Sequence, residues 1–162
     1  LDYLWSPWRY QYLTGTKKTT GCVFCGISGE NEDKANLIVY RGTANFIVLN
    51  RFPYTSGHLM VVPYAHVSEL SGIDDAAAGE MMSLVRRAEK ALRQIYRPSG
   101  INIGMNIGES AGAGIAGHIH MHVLPRWHGD SNFMTTIGET RVLPEELDDT
   151  WTRVSQALAL SE

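Results

Sequence analysis

His118, His120 and His122 alternate with Ile119, Met121 and Val123, so three of the chain's six histidines fall within five residues. In an extended strand, side chains at i, i+2 and i+4 share a face. The spacing predicts a strand over 118–124 with three imidazoles on one side and apolar residues packed on the other. Imidazole can move protons, attack phosphorus or bind a metal near neutral pH. Just upstream, Gly104, Gly108, Gly112, Gly114 and Gly117 mark a loop whose backbone N–H groups could hold an anion. Together they read as a nucleophile beside a phosphate cradle. One metal is a poor fit for all three histidines, because i to i+4 spans about 13 Å at about 3.3 Å per residue. Nor are they core filler, since each buried imidazole must find a partner. Different jobs for the three suit the geometry better.

The only cysteines form one Cys22-Val23-Phe24-Cys25 unit. A redox pair would sit on a thioredoxin-like βαβ pattern, which is absent. A structural zinc needs two more ligands, drawn from Cys and His. His66 follows a strand signal and would lie in a loop. Cys22, Cys25, His66 and one triad histidine would make a closed tetrahedral site; two unbound thiols are the alternative. His58, before an apolar run, reads as a hydrogen-bonded histidine near a strand start. His128 reads as a surface loop residue.

The elements that must position these groups follow from periodicity. Short β-rich runs occur at 38–40, 46–49, 59–62 and 101–107, with 118–124 as the fifth. Between the third and fourth lies a helix at about 74–96. Asp74 or Asp75 caps it, Met81, Leu84, Val85, Ala88, Leu92 and Ile95 recur at helical spacing, and Pro98-Ser99-Gly100 stops it. A last helix is expected from Pro144, with Leu147, Trp151, Val154 and Leu158 as its stripe. Strands in series with one long helix inserted predict an α+β antiparallel sheet with helices on one face. Residues 14–21 read as a loop. Tyr3, Trp5, Trp8, Tyr10 and Tyr12 form an aromatic arm, packed on its own domain or against a second copy.

A length of 162 residues predicts a single domain with its own core. Hydrophobic content of 44% and charged content of 19% suit an ordinary globular enzyme. A net charge of −3, with no long basic run, argues against duplex nucleic acid. No apolar run reaches bilayer length, and no signal-peptide pattern is visible at the start. With no disulfide framework, a reducing cytoplasmic setting is expected.

The run His118-Ile-His120-Met-His122-Val-Leu resembles the HxHxHxx signature of the histidine triad (HIT) superfamily of nucleotide hydrolases and transferases. The block from Asn50-Arg51-Phe52-Pro53 through Gly57-His58 to Pro63 is similar to the superfamily's Asn-Arg-x-Pro…Gly-His…Pro block, and Cys22 to Ile27 resembles its N-terminal block. The resemblance implies an antiparallel sheet with a long helix. It divides 1–162 into an arm (1–20), a HIT core (20–128) and an extension with a helix (129–162).

It also implies roles. His120 would attack an α-phosphate, and His122, with His118, would complete the catalytic set. Asn50 would contact ribose, and Phe24, Ile27, Val48 and Met60 would line the base pocket. In zinc-bearing members two Cys join a downstream His and the first triad His, here Cys22, Cys25, His66 and His118, with zinc in a structural role. One departure stands out. The Gln and Ser/Thr that family hydrolases carry before the triad are replaced here by Gly114-Ile115-Ala116-Gly117. Phosphate contacts then fall to Gly112, Gly114 and Gly117, with Asn106 and Ser110 as partial substitutes. The segment 132–145 resembles an extension in bacterial diadenosine tetraphosphate phosphorylases. The implied activity is cleavage of dinucleoside polyphosphates at the α-phosphate through a nucleotidyl-histidine. A water-using HIT hydrolase of such compounds or of nucleoside phosphoramidates is one alternative, and a non-catalytic nucleotide-binding adaptor the other. Expected partners are purine mononucleotides or dinucleoside polyphosphates, and a second copy of the chain in a homodimer or higher oligomer.

Overall fold

The computed structural model describes residues 21–138 and 143–160. The aromatic arm and its expected contacts lie outside these residues. Five strands form one sheet: β1 (Ile38–Arg41), β2 (Asn45–Leu49), β3 (Leu59–Pro63), β4 (Gly100–Met105) and β5 (Met121–Arg126). Their order is β1-β2-β3-β5-β4, and every neighbouring pair is antiparallel. The α+β antiparallel architecture expected from the sequence is the one the chain adopts.

Four α-helices accompany the sheet among the described residues: α1 (Val23–Ser28), α2 (Asp75–Tyr96), α3 (Phe133–Thr136) and α4 (Leu147–Ala159). Asp74 caps α2 by accepting from Ala77 N–H at 2.7 Å, a contact worth about 1 kcal/mol. Arg97, in the left-handed region at φ 46°, ends it. Met81, Leu84, Val85, Ala88 and Leu92 are buried against β2, β3 and β5, while Ile95 is partly buried beside them. α4 packs on β1 and α2, burying Val154 and Leu158 and placing Trp151 Nε1 to donate to Ile38 O at 2.8 Å. The two helices touch each other and share one face of the sheet, as expected.

Three local readings need correction. β5 begins at Met121, not at 118. Before it, His118 N–H bonds Ile115 O in a turn and Ile119 N–H bonds Val67 O at 2.8 Å, so this stretch is tied to the loop after β3 instead of to the ladder. The last helix begins at Leu147, with Pro144 outside it. Glu146, just before it, is the N-cap with extended backbone at ψ 153°, and the preceding Glu145 carboxylate accepts from Tyr96, Thr150 and Arg153. β4 covers Gly100–Met105 and stops short of 107, because its ladder with β5 ends at the Met105–Met121 pair. The Cys22–Cys25 unit, given no element from the sequence, opens α1 with Cys22 as N-cap and Gly26 N–H donating to Cys22 O at 3.1 Å.

Candidate active site and metal centre

The antiparallel register aligns the site. Val48 pairs with Met60, Met60 with His122 and His122 with Gly104. Directly paired residues point to the same face, so Val48, Met60 and His122 form one row across the sheet. α1 lies over this region: Phe24 is 5.4 Å from the His118 ring and 5.1 Å from the His120 ring, centre to centre. Ile27 packs against the same core. All four residues expected around a base, Phe24, Ile27, Val48 and Met60, thus belong to or pack on one hydrophobic cluster.

Each triad imidazole has a different partner. His118 Nε2–H donates to Pro63 O at 2.8 Å, which leaves Nδ1 as its lone-pair nitrogen. That Nδ1 faces Cys22 Sγ at 3.3 Å, Cys25 Sγ at 3.6 Å and His66 Nδ1 at 3.3 Å. All four ligand atoms lie within 4.8 Å of one another. Two thiols and two imidazoles converging in this way are the donor set and compactness of a closed tetrahedral zinc site. The Pro63 carbonyl supplies the outer hydrogen bond that metal-binding histidines characteristically make. The sulfurs and nitrogens present fit zinc.

His120 Nδ1–H donates to His118 O at 2.9 Å. Its lone pair is therefore on Nε2. Burial holds its pKa below the usual imidazole value, a shift only partly offset by the His118 carbonyl. His120 is thus neutral at pH 7, with one nitrogen ready to attack.

His122 depends on His58. Two donors point at His58 Nδ1, the Tyr54 backbone N–H at 3.2 Å and the Asn50 side-chain amide at 3.3 Å. His58 therefore carries its proton on Nε2, which donates to His122 Nδ1 at 2.8 Å. The His122 proton must then sit on Nε2. Burial, reinforced by His120, pulls the His122 pKa down to about 4. The chain of bonds ends in a fixed N–H donor beside the His120 nucleophile, their rings 4.9 Å apart.

His58 was read from sequence as a hydrogen-bonded histidine at a strand start; its partner turns out to be a triad residue. The Gly57-His58 pair was the available signal, since Gly57 has φ 77° and a Cβ there would meet Tyr96 at 2.8 Å. Asn50 lies beside this relay, its Oδ1 accepting from Phe52 N–H at 2.9 Å. The glycine loop is less convergent. Gly108 and Gly112 hold positive φ around the turn Glu109–Ala111. Asn106 Nδ2 reaches Gly112 O at 3.5 Å, so it braces the loop. Gly114 has open space where a side chain would be, and a Cβ on Gly117 would lie 3.9 Å from the His66 ring. His128 is exposed in the turn closed by Arg126–Asp130, the surface loop position read from the sequence. Past Tyr54, a cavity of about 730 Å³ is lined by Ser56, Tyr96, Trp127, Glu146 and Asp149 among others. Four carboxylates, Asp130, Glu145, Glu146 and Asp149, line it beside the Arg153 guanidinium.

A family model described as the HIT domain matches residues 30–129. The chain belongs to the HIT family. The match begins after α1, so both cysteines and Phe24 lie before it. A HIT relative named AP-4-A phosphorylase, from Mycobacterium tuberculosis strain H37Rv, is 41% identical over 158 residues, covering 93% of this chain and 80% of the relative. The sequence-based reading of a HIT enzyme is met by a relative that carries an enzyme's name. Among solved structures, a Zn-bound histidine triad family protein from Mycobacterium smegmatis superposes with a TM-score of 0.70 at 29% identity, covering 86% of this chain and 94% of that one. A uridylyltransferase structure gives a TM-score of 0.70 at 16% identity over 95% of this chain and 50% of that one, a likeness of fold alone. Among the described residues, no helix of this HIT protein is long and apolar enough to cross a membrane.

Proposed function

We propose that this HIT protein is a dinucleoside polyphosphate phosphorylase working by double displacement at the α-phosphorus. The observation that carries the reading is the His120 Nδ1–H to His118 O bond, 2.9 Å long, which commits Nε2 as the nucleophile. In the first step Nε2 forms a bond to the α-phosphorus, and the P–O bond to the polyphosphate breaks. The product on the protein is a nucleotidyl-imidazolium whose Nδ1–H still points at the His118 carbonyl, which stabilises its charge. In the second step an oxygen of inorganic phosphate attacks the same phosphorus and the P–N bond breaks. Diadenosine tetraphosphate would thus give ATP, then ADP. Splitting one displacement into two lowers each barrier.

The fixed His122 Nε2–H serves a phosphoryl oxygen, joined by backbone amides of the glycine loop at Gly112, Gly114 and Gly117. Phe24, Ile27, Val48 and Met60 hold the base, and Asn50 the ribose. Zinc, when bound, supplies a structural tie, since all four tetrahedral positions are taken by Cys22, Cys25, His66 and His118. That tie joins α1, with its Phe24, to the residue whose carbonyl orients His120. β4 is an edge strand with Ile103 47% exposed, and Met82 on α2 is 51% exposed; this face suits a second copy of the chain. A cytoplasmic setting accords with two cysteines free of any disulfide.

Product analysis tests the reading. Diadenosine tetraphosphate with inorganic phosphate should yield ADP and ATP in equal amounts. AMP and ATP, formed at the same rate without phosphate, would make it a hydrolase. Tight binding with no turnover would make it an adaptor.

A further inference from the structure

We propose that Cys22 and Cys25 form an oxidation-sensitive latch on the active site, closed by the metal and opened by hydrogen peroxide. The inference rests on the metal reading of the cluster and on His120 as the nucleophile, and goes beyond both. Three observations carry it. First, the two cysteines sit at the N-cap and in the first turn of α1, one turn apart, with their sulfurs inside the 4.8 Å cluster. Reaching an S–S length of about 2.0 Å then calls mainly for side-chain rotation. Second, Cys25 is exposed and Cys22 is half-buried, so an oxidant reaches one sulfur and the other is placed to resolve it. Third, the cluster and the nucleophile share His118: its ring faces the sulfurs through Nδ1, and its backbone carbonyl fixes the His120 proton.

The chemistry balances with one peroxide. The Cys25 thiolate attacks a peroxide oxygen, the O–O bond breaks, and a sulfenic acid forms as hydroxide leaves and is protonated. The Cys22 thiolate attacks that sulfur, an S–S bond forms, and the sulfenic oxygen leaves as a second water. Two thiolates, two protons and H₂O₂ become a disulfide and two waters. The cysteines are oxidised and the peroxide is reduced. Two imidazoles remain of the four donors, too few for the closed site, and the metal is released. The His118 ring then loses both sulfurs and keeps its Pro63 bond and its approach to His66. Phe24, between the two cysteines, loses its tie to the His118 and His120 rings. Thiol reductant and zinc reset the latch, which suits a reducing compartment.

The test uses the full zinc-loaded chain, titrated with hydrogen peroxide in the presence of a chromogenic zinc chelator. Zinc release should track the loss of both thiols one to one, and intact mass should show the loss of two hydrogens. Reductant with added zinc should reverse both. Cys25→His keeps a four-ligand set without a disulfide partner, and should need at least tenfold more peroxide for half-release. Turnover of diadenosine tetraphosphate, where present, should fall in step with zinc. Zinc retained as both thiols are lost, mass rising by added oxygens, or disulfide-linked pairs of chains would overturn the latch. So would Cys25→His releasing zinc at the wild-type dose. A chain that takes up no zinc at all would overturn the metal reading with it. Because release and mass are read without turnover, an inactive protein still decides the question.

Discussion

Replacing His58 by Phe should slow the chemical step by about 10²–10³, the usual cost of one electrostatic donor, although His58 is expected to touch no substrate. Its Nε2–H is the donor to His122 Nδ1 at 2.8 Å, and that bond assigns the His122 proton to Nε2. Phe is close in size and removes the donor. His122 Nδ1, 8% exposed as a residue, then lacks that partner. An unsatisfied buried acceptor costs about 1–3 kcal/mol. His122 can recover by moving its own proton to Nδ1, but Nε2 then presents a lone pair to the phosphoryl oxygens and repels them. The same mutation should therefore lower stability modestly and kcat strongly, with little change in nucleotide affinity. A cycle with His122→Ala sharpens the test. Acting through His122, His58 should add almost nothing once His122 is gone, so the double variant should match His122→Ala within about 0.5 kcal/mol. Rates would be read as ADP and ATP formed from diadenosine tetraphosphate, and stability from urea midpoints. If His58→Phe kept kcat within a few-fold, or if the two losses simply added, the relay would be refuted.

Three more outcomes are expected. His120→Ala should abolish turnover and the acid-labile nucleotidyl adduct while nucleotide still binds; oxygen-18 analysis of wild type should show net retention at phosphorus, and inversion would rule out two in-line steps. Stability should fall in acid: the folded His122 pKa, at about 4, lies below its ordinary 6.5, so the unfolded chain binds more protons and the contribution, full above 6.5, is lost as pH drops towards 4. That contribution is on the order of 3 kcal/mol, and His122→Asn should flatten the urea-midpoint slope between pH 7 and 4.5. Ile103→Glu, on the exposed edge of β4, should shift the chain from dimer to monomer by light scattering; a wild type that is monomeric at micromolar concentration would contradict the interface.

The sequence was most legible where periodicity and chemistry coincided. Alternation in the triad pointed to a nucleophile, and the apolar spacing of α2 showed a helix whose cap, Asp74, is one of the two residues expected. Ligand chemistry offered Cys22, Cys25, His66 and one triad histidine, the resemblance singled out His118, and the four do meet. No spacing rule could have joined them, since the partners come from α1, the loop after β3 and the approach to β5. Two things stayed hidden for physical reasons. The start of β5 depends on a bond from Ile119 N–H to Val67 O, a contact that no local pattern encodes. The His58 relay needs the tautomer of one ring to be set by backbone and amide donors 4 and 8 residues away. The glycine loop was the reverse case: a conspicuous sequence signal whose Asn106 turns inward to brace its own turn.

The position of β5 has a consequence for how the chain acquires its shape. β1, β2 and β3 follow one another as hairpins and can zip up from local encounters. β5 must instead slot between β3 and β4, and its first partner ring lies 64 residues back, at His58. Closing so long a loop is paid in entropy before any contact returns it, and such distant pairings slow folding. The strand that carries His122 can pair with β4 locally, through Met105 and Met121, but meets β3 and His58 only when the long loop closes. The proposed chemistry thus depends on one long-range pairing as much as on any single side chain.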